Sequence, residues 1–145
     1  MNERPEVQPV GREYELVWED GELLVNEESI FQVIRSIKDP EHNYSLEELR
    51  VVSLERVCVQ ELLSGHLVRI TVVPTIPHCS MVGLIGLSIL YKLSNTLSSK
   101  YVVRVEVQEG SHTLAEEVSK QLSDIERTYS AFLNENIVSA ISPLL

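Results

Sequence analysis

The residue in this sequence whose type and position are best suited to chemistry is Cys79. It lies in the segment PTIPHCSM, residues 74–81, between the end of a predicted strand and the start of a predicted helix. The two prolines of this segment stiffen the chain and remove two backbone donors. At the first turn of a helix, free N–H groups and the macrodipole favour a thiolate over a thiol. Cys79 is therefore a candidate nucleophile or metal ligand.

Two histidines could assist this cysteine. His78 precedes it, and His112 ends the turn EGSH that follows a predicted strand. If strands 67–73 and 101–107 run parallel, His112 and Cys79 belong to the same end of the sheet. One thiolate and two imidazoles are too few for a closed structural zinc site, which takes four ligands. They suit an open site, or one that another chain completes.

Plainer interpretations of these side chains remain open. Cys79 could be a small apolar residue that fills a gap in the core, because free cysteine is among the most buried residue types. His112 could simply belong to a surface turn. Cys58 lies between the β-branched residues Val57 and Val59 of a predicted strand, and packing accounts for it.

The elements that must position Cys79 can be read from the apolar periodicity. Ser29 is the predicted N-cap of a short amphipathic helix that stops at Pro40, and residues 45–48 have the spacing of a capping box. Runs 51–59 and 67–73 predict an antiparallel hairpin with a bulge between Leu54 and Val57. A helix over residues 80–97, a strand over 101–107, an amphipathic helix over 114–132 and a short helix over 137–141 follow.

These elements predict an α+β fold. We expect a single compact domain in which helices pack on a small mixed three-stranded sheet, in the order helix, hairpin, helix, strand, helix. Gly83 and Gly86 share one face of the helix after Cys79, where they would let that helix approach the sheet or another helix closely. They lack the arrangement of a phosphate-binding loop.

The charge of the chain is unevenly distributed. The 145 residues carry a net charge of −10, and residues 1–29 hold nine carboxylates against two arginines. Residues 1–28 are predicted to be a mostly disordered acidic tail, followed by the domain at 29–145. The apolar patch around Trp18 could instead dock on a partner or on the domain itself.

Composition also limits the ligands and the compartment. Without a basic excess, direct binding to nucleic acid or to a membrane surface is not expected. The N-terminus lacks the features of a secretion signal or a transit peptide. Two cysteines without a CxxC pair fit a reducing cytoplasmic or nuclear compartment.

The motif around Cys79 resembles the small subunit of the cytosolic iron–sulfur cluster assembly targeting complex, a family related to bacterial metal–sulfur cluster assembly proteins. The resemblance covers roughly residues 30–140 in order. It rests on segments 34–42, 45–49, 74–80, 84–89, 109–112 and 120–127. Departures from the family pattern occur at Ile125, at Val82-Gly83 and in the ending at residues 142–145. They bear on partner choice more than on fold.

The resemblance implies an adaptor that helps to deliver iron–sulfur clusters to cytosolic and nuclear apoproteins, with Cys79 as the reactive cysteine. It implies a β-propeller partner, in one branch a HEAT-repeat partner, and homodimers that include domain-swapped ones. A transient iron–sulfur cluster or a zinc ion would be the metal, and protein maturation and chromosome segregation would be the processes served. The turn at residues 109–112 is nearer to the branch that serves a narrower set of clients, including the iron-regulatory protein.

Two other classes of function compete with the cluster-transfer adaptor. The first is a protein-interaction scaffold in which Cys79 is structural. The second is a cysteine-dependent hydrolase or thiol oxidoreductase, but the sequence offers no resolving CxxC partner and no evident Cys–His–Asp group. An assembly and transfer factor is therefore expected rather than a turnover enzyme.

Overall fold

The computed structural model describes residues 6–63, 65–75, 81–110 and 115–145. None of the helices within these ranges is both long enough and apolar enough to cross a membrane. Two 3-10 turns, Leu54–Arg56 and Ser142–Leu144, accompany the regular elements. In chain order these elements are β1 (Trp18–Glu19), β2 (Glu22–Leu23), α1 (Glu27–Ile34), β3 (Val57–Leu62), β4 (Gly65–Val72), α2 (Val82–Thr96), β5 (Tyr101–Val107), α3 (Ala115–Ser123), α4 (Ile125–Leu133) and α5 (Glu135–Ile141).

A three-stranded sheet forms the centre of the fold. Strand β4 pairs antiparallel with β3 and parallel with β5. Successive side chains along a strand point to opposite faces of the sheet. Val68, Ile70 and Val72 of β4 therefore all enter the core, and Val105 and Val107 of β5 join them there. The α+β class, the mixed sheet and the parallel pairing on which the site hypothesis depends are confirmed.

The hairpin prediction was right in pairing and wrong in its first strand. Val51 and Val52 are buried, but they precede the 3-10 turn Leu54–Arg56, and β3 begins only at Val57. The shift in alternation that suggested a bulge therefore marks the 3-10 turn that precedes the strand. The carbonyl of Val51 still accepts a hydrogen bond from Val73 N–H at 3.0 Å, which ties this segment to the end of β4.

Helix α1 starts before the predicted cap. Asn26 is the N-cap, and its side chain accepts a hydrogen bond from Ser29 N–H at 2.9 Å, while the Ser29 hydroxyl accepts one from Asn26 N–H. Ser29 is thus the third helical residue. Asparagine caps as well as serine does, and Glu27 and Glu28 then lie in the first turn, where the helix dipole favours carboxylates.

The predicted capping box at residues 45–48 is confirmed and has a measurable consequence. Ser45 N–H donates to the Glu48 carboxylate at 3.0 Å, and Glu48 N–H donates to the Ser45 hydroxyl at 3.2 Å. The backbone N–H of Ser45, and then its side chain, hold the pKa of Glu48 below its usual value.

A lowered carboxylate pKa stabilises the fold above the unfolded-state pKa, and that contribution is lost as the pH falls through the folded-state pKa. From about pH 5 downward, the free energy of unfolding of the wild type should therefore fall more steeply than that of Glu48→Gln. Urea denaturation at a series of pH values measures both curves. Parallel curves would show that Glu48 has the same pKa in both states.

The C-terminal amphipathic segment is two helices rather than one. The side chain of Asp124 accepts hydrogen bonds from Glu126 N–H and Arg127 N–H and so caps α4 after the end of α3. Helix α3 lies along the edge of the sheet, where the Ser119 hydroxyl accepts a hydrogen bond from Val107 N–H at 2.9 Å. The predicted helix at residues 137–141 is confirmed as α5, with Asn134 as its cap.

The N-terminal segment lies against the domain over residues 8–14. Gly11 N–H donates to Glu47 at 3.0 Å, Tyr14 N–H donates to Gln32 at 2.9 Å, and the Arg35 guanidinium donates to the carbonyl of Arg12 at 2.7 Å. The docking alternative concerned the apolar patch around Trp18, of which Leu23 is buried in the core while Trp18 itself is 54% exposed. The disorder of residues 1–28 and the domain boundary after them stay predictions.

Candidate functional site

The candidate site is framed by the carboxyl ends of β4 and β5. These parallel strands end in register, with Val72 opposite Val107, and Gln108 N–H continues the ladder to the carbonyl of Val72 at 2.9 Å. Segment 76–80 follows β4, and segment 111–114 follows β5. Both connections therefore leave from the same edge of the sheet, where α/β proteins commonly place functional loops.

Buried residues fix the chain on both sides of each connection. Val72 and Val82 are buried before and after segment 76–80, and Val107 and Ala115 are buried before and after segment 111–114. The carbonyl of Met81, the N-cap of α2, accepts the Ile85 N–H at 3.0 Å, so the helix begins in the turn directly after Ser80. The core thus sets where both connections start and finish.

The predicted site residues His78, Cys79 and His112 lie outside the described residues. What the structure brings together is their frame, namely the ends of β4 and β5 and the first turn of α2. The role of each of the three side chains stays a prediction. Among the described residues, no group of three or more histidine, cysteine or carboxylate side chains is placed to hold a metal ion.

The face of the sheet that points away from the core is open and carries charge. Cys58 is on this face and exposed, so the expectation that packing accounts for it was wrong. Because Val57 is buried, strand alternation turns Cys58 outward. In β4 and β5, Arg69 lies directly opposite Arg104, and like charges in this relation repel. The Arg69 Nε lies 3.5 Å from the Glu106 carboxylate, which offsets part of that repulsion.

A cleft of about 620 Å³ lies between β5 and α3, next to the carboxyl edge. Arg104, Glu106 and Thr71 line it from the sheet, and Ser119 and Lys120 line it from α3. A smaller depression of about 300 Å³ shares Thr71 with the cleft and extends to Cys58 and Arg69. Polar side chains of both signs therefore border the frame of the candidate site.

Sequence reasoning missed these open-face residues. The signal was present, because the buried apolar side chains of β4 alternate with Leu67, Arg69 and Thr71, which must then share the opposite face. Only the parallel register shows that Arg69 and Arg104 are neighbours, since the two residues are 35 positions apart in the sequence.

Comparison with known proteins gives a consistent result. A family model described as iron-sulfur cluster assembly protein matches residues 27–107. The chain is 42% identical over 129 residues to cytosolic iron-sulfur assembly component 2B of Mus musculus, which covers 88% of this chain and 78% of the mouse protein. It is 44% identical over 113 residues to the MIP18 family protein galla-2 of Drosophila melanogaster, covering 78% and 71% of the two chains. A Dictyostelium discoideum protein, also named cytosolic iron-sulfur assembly component 2B, is 45% identical over 106 residues, or 73% of this chain and 64% of that protein.

Proposed function

Because the chain belongs to the iron–sulfur cluster assembly protein family, we propose that it is an adaptor in cytosolic iron–sulfur cluster assembly. It helps to deliver clusters to apoproteins through the thiolate of Cys79. The observation that carries the proposal is the extent of the family match, residues 27–107. This match includes the PHCS segment and both parallel strands whose carboxyl edge frames it.

The chemistry required of Cys79 is ligation rather than turnover. A cluster normally has four protein ligands, so one thiolate holds it only together with ligands from a second copy, a partner or a client. His78 and His112 are candidates for additional ligands, and the same set could take up zinc. Incomplete ligation favours release of the cluster, because the client can supply the remaining ligands one by one. The cluster is thus cargo that passes through the site.

The proposed partners follow from the family resemblance. They are a β-propeller subunit, a HEAT-repeat subunit in one branch of the family, and the apoprotein clients. Homodimers, including domain-swapped ones, would supply a second Cys79 to the same cluster. Cytoplasmic and nuclear apoproteins would be the clients, and the proposed location follows theirs. No step requires nucleic acid or a membrane.

Anaerobic reconstitution with iron and sulfide tests the role of Cys79, and the chain offers a matched control. Cys58 is the other cysteine in the sequence and is exposed, so Cys58→Ala removes one thiol and leaves the sequence of segment 74–81 unchanged. In the presence of the propeller subunit, we expect the wild type and Cys58→Ala to show the same cluster absorption and Mössbauer signals. Cys79→Ala should lose them, and zinc uptake measured in parallel shows which metal the thiolate prefers.

The second candidate function is a scaffold without cluster chemistry, which the exposed apolar side chains of the β1–β2 and β3–β4 hairpins favour. Under that alternative, Cys79→Ala keeps full client maturation in cells that lack the wild-type chain. Equal maturation of a cytosolic iron–sulfur enzyme by Cys79→Ala and the wild type would therefore contradict the transfer mechanism and leave the scaffold.

A further inference from the structure

The amino-terminal edge of the sheet, opposite the candidate site, exposes large apolar side chains from two hairpins. The turn between β3 and β4 presents Leu62 at 48% exposure and Leu63 fully exposed. The hairpin of β1 and β2 presents Trp18 at 54%, and Leu24, which follows it, is 47% exposed. We call these four residues the amino-edge surface.

The two hairpins are joined through Lys100, which precedes β5. Its Nζ lies 3.3 Å from the Glu22 carboxylate on the β1–β2 hairpin. Its carbonyl accepts a hydrogen bond from His66 N–H at 3.2 Å, at the start of β4. Gly65 approaches that carbonyl so closely that an added Cβ would lie 2.7 Å from it. The hairpins therefore belong to one region.

These apolar side chains leave about half or more of their surface exposed. In the β1–β2 hairpin, the buried Leu23 supplies the contact with the core, and Asp20 and Gly21, both at positive φ, form the turn. Leu63 is fully exposed and so contributes no burial to folding. Single exposed apolar residues are ordinary, but several on adjoining segments are typical of an interaction site.

The charges around the amino-edge surface select among possible occupants. Glu19, Asp20, Glu22 and Glu61 are all exposed there, and the Lys100 ammonium group pairs with one of them, Glu22. An anionic membrane would be repelled by these carboxylates. A second copy that met this surface face to face would bring the same excess of negative charge. A protein surface with lysine and arginine side chains around apolar contacts is complementary.

We propose that the amino-edge surface docks a partner protein that presents apolar side chains or pockets within a basic rim. The proposal rests on the proposed function in one respect, because the β-propeller subunit of the assembly machinery is taken as that partner. Docking at this edge leaves the opposite edge of the sheet, with the frame of Cys79, open to clients. Binding and transfer then occupy different ends of the same sheet.

Titration of the full-length chain with the purified propeller subunit tests this surface. We expect Leu63→Ser and Trp18→Ala each to raise Kd by about tenfold or more, because aromatic and apolar anchors dominate such interfaces. Glu61→Lys should raise Kd at low salt and reduce the salt dependence of the association rate. Leu133→Ser is the matched control, since Leu133 is 68% exposed but lies on α4. Circular dichroism melting shows that each variant is folded.

Every other outcome overturns the proposal, and each one shows which part of it is wrong. If the wild type binds the propeller and the hairpin variants bind equally well, the surface is wrong and the proposed function stands. If the wild type does not bind the propeller, the assigned occupant and the partner in the proposed function are both wrong. Co-sedimentation with phosphatidylcholine or phosphatidylserine vesicles that Leu63→Ser abolishes would identify a membrane. A wild-type dimer that Leu63→Ser dissociates would identify a second copy.

Discussion

Glu47→Ala should lower the free energy of unfolding by about 3 kcal/mol, the scale for removing one partner of a buried ion pair. The Glu47 carboxylate accepts hydrogen bonds from Arg35 Nε at 2.8 Å and from an Arg35 terminal nitrogen at 2.7 Å. Both side chains are less than one-tenth exposed. The hydrogen bond that Arg35 donates to Glu47 raises the pKa of Arg35. A guanidinium stays charged even without such a bond, so in the variant it is left without its counter-ion.

The same substitution should release the N-terminal segment. Glu47 also accepts the Gly11 N–H, and Arg35 donates to the carbonyls of Gly11 and Arg12. Without Glu47, the Arg35 guanidinium loses two of its hydrogen bonds and Gly11 N–H loses its acceptor. Hydrogen exchange at Gly11 should therefore accelerate more than exchange in the centre of β4, which the core protects.

Urea denaturation measures the loss, and the chain offers a control for charge alone. Arg12 and Glu28 form an exposed ion pair at 3.4 Å, so Glu28→Ala, which also removes a carboxylate from the first turn of α1, should change stability by no more than about 1 kcal/mol. A loss below about 1 kcal/mol for Glu47→Ala would mean that water reaches the Arg35–Glu47 pair in solution. That outcome would support the prediction of a disordered tail over the docked arrangement.

Local patterns were enough to predict much of the fold. The strict alternation of residues 101–107 and the reciprocal spacing of Ser45 and Glu48 each depend on neighbours within a few positions, so the sequence alone specifies them. The position of the last helix depends on its own periodicity and cap. Errors arose where two local solutions compete, as for the cap of α1, where Asn26 and Ser29 exchange hydrogen bonds and either could start the helix.

Other features required knowledge of the three-dimensional arrangement. The Asp20-Gly21 dipeptide is a hairpin signal, but strands of two residues are too short to show alternation. Arg35 and Glu47 pair only because the chain reverses between them. Near the candidate site, the parallel pairing of β4 and β5 was predicted correctly, while the position of Cys79 stays a prediction. That Arg69 and Arg104 are neighbours became evident only from the register of these two strands.

Two glycines of α2 should respond in opposite directions to the same substitution. A Cβ added at Gly86 would lie 2.4 Å from Cδ1 and 2.9 Å from Cδ2 of Leu122, a side chain that is only 6% exposed in the core. At Gly83 no described atom lies within 4 Å of an added Cβ. Alanine is favoured over glycine in a helix by about 0.5–1 kcal/mol. Gly83→Ala should therefore stabilise the protein by up to that amount, while overpacking at Gly86 costs about 1–3 kcal/mol.

A double-mutant cycle separates the contact with Leu122 from the effect on the helix itself. In a Leu122→Ala background the clash is removed, so Gly86→Ala should become neutral or stabilising, and the coupling energy should be about 2 kcal/mol. If Gly86→Ala destabilises equally in both backgrounds, the close approach of α3 to α2 is not the cause. The contact matters for the site because α3 holds the end of β5 through Ser119 and forms one wall of the cleft. Overpacking at Gly86 should therefore also accelerate hydrogen exchange at Val107, whose N–H donates to Ser119.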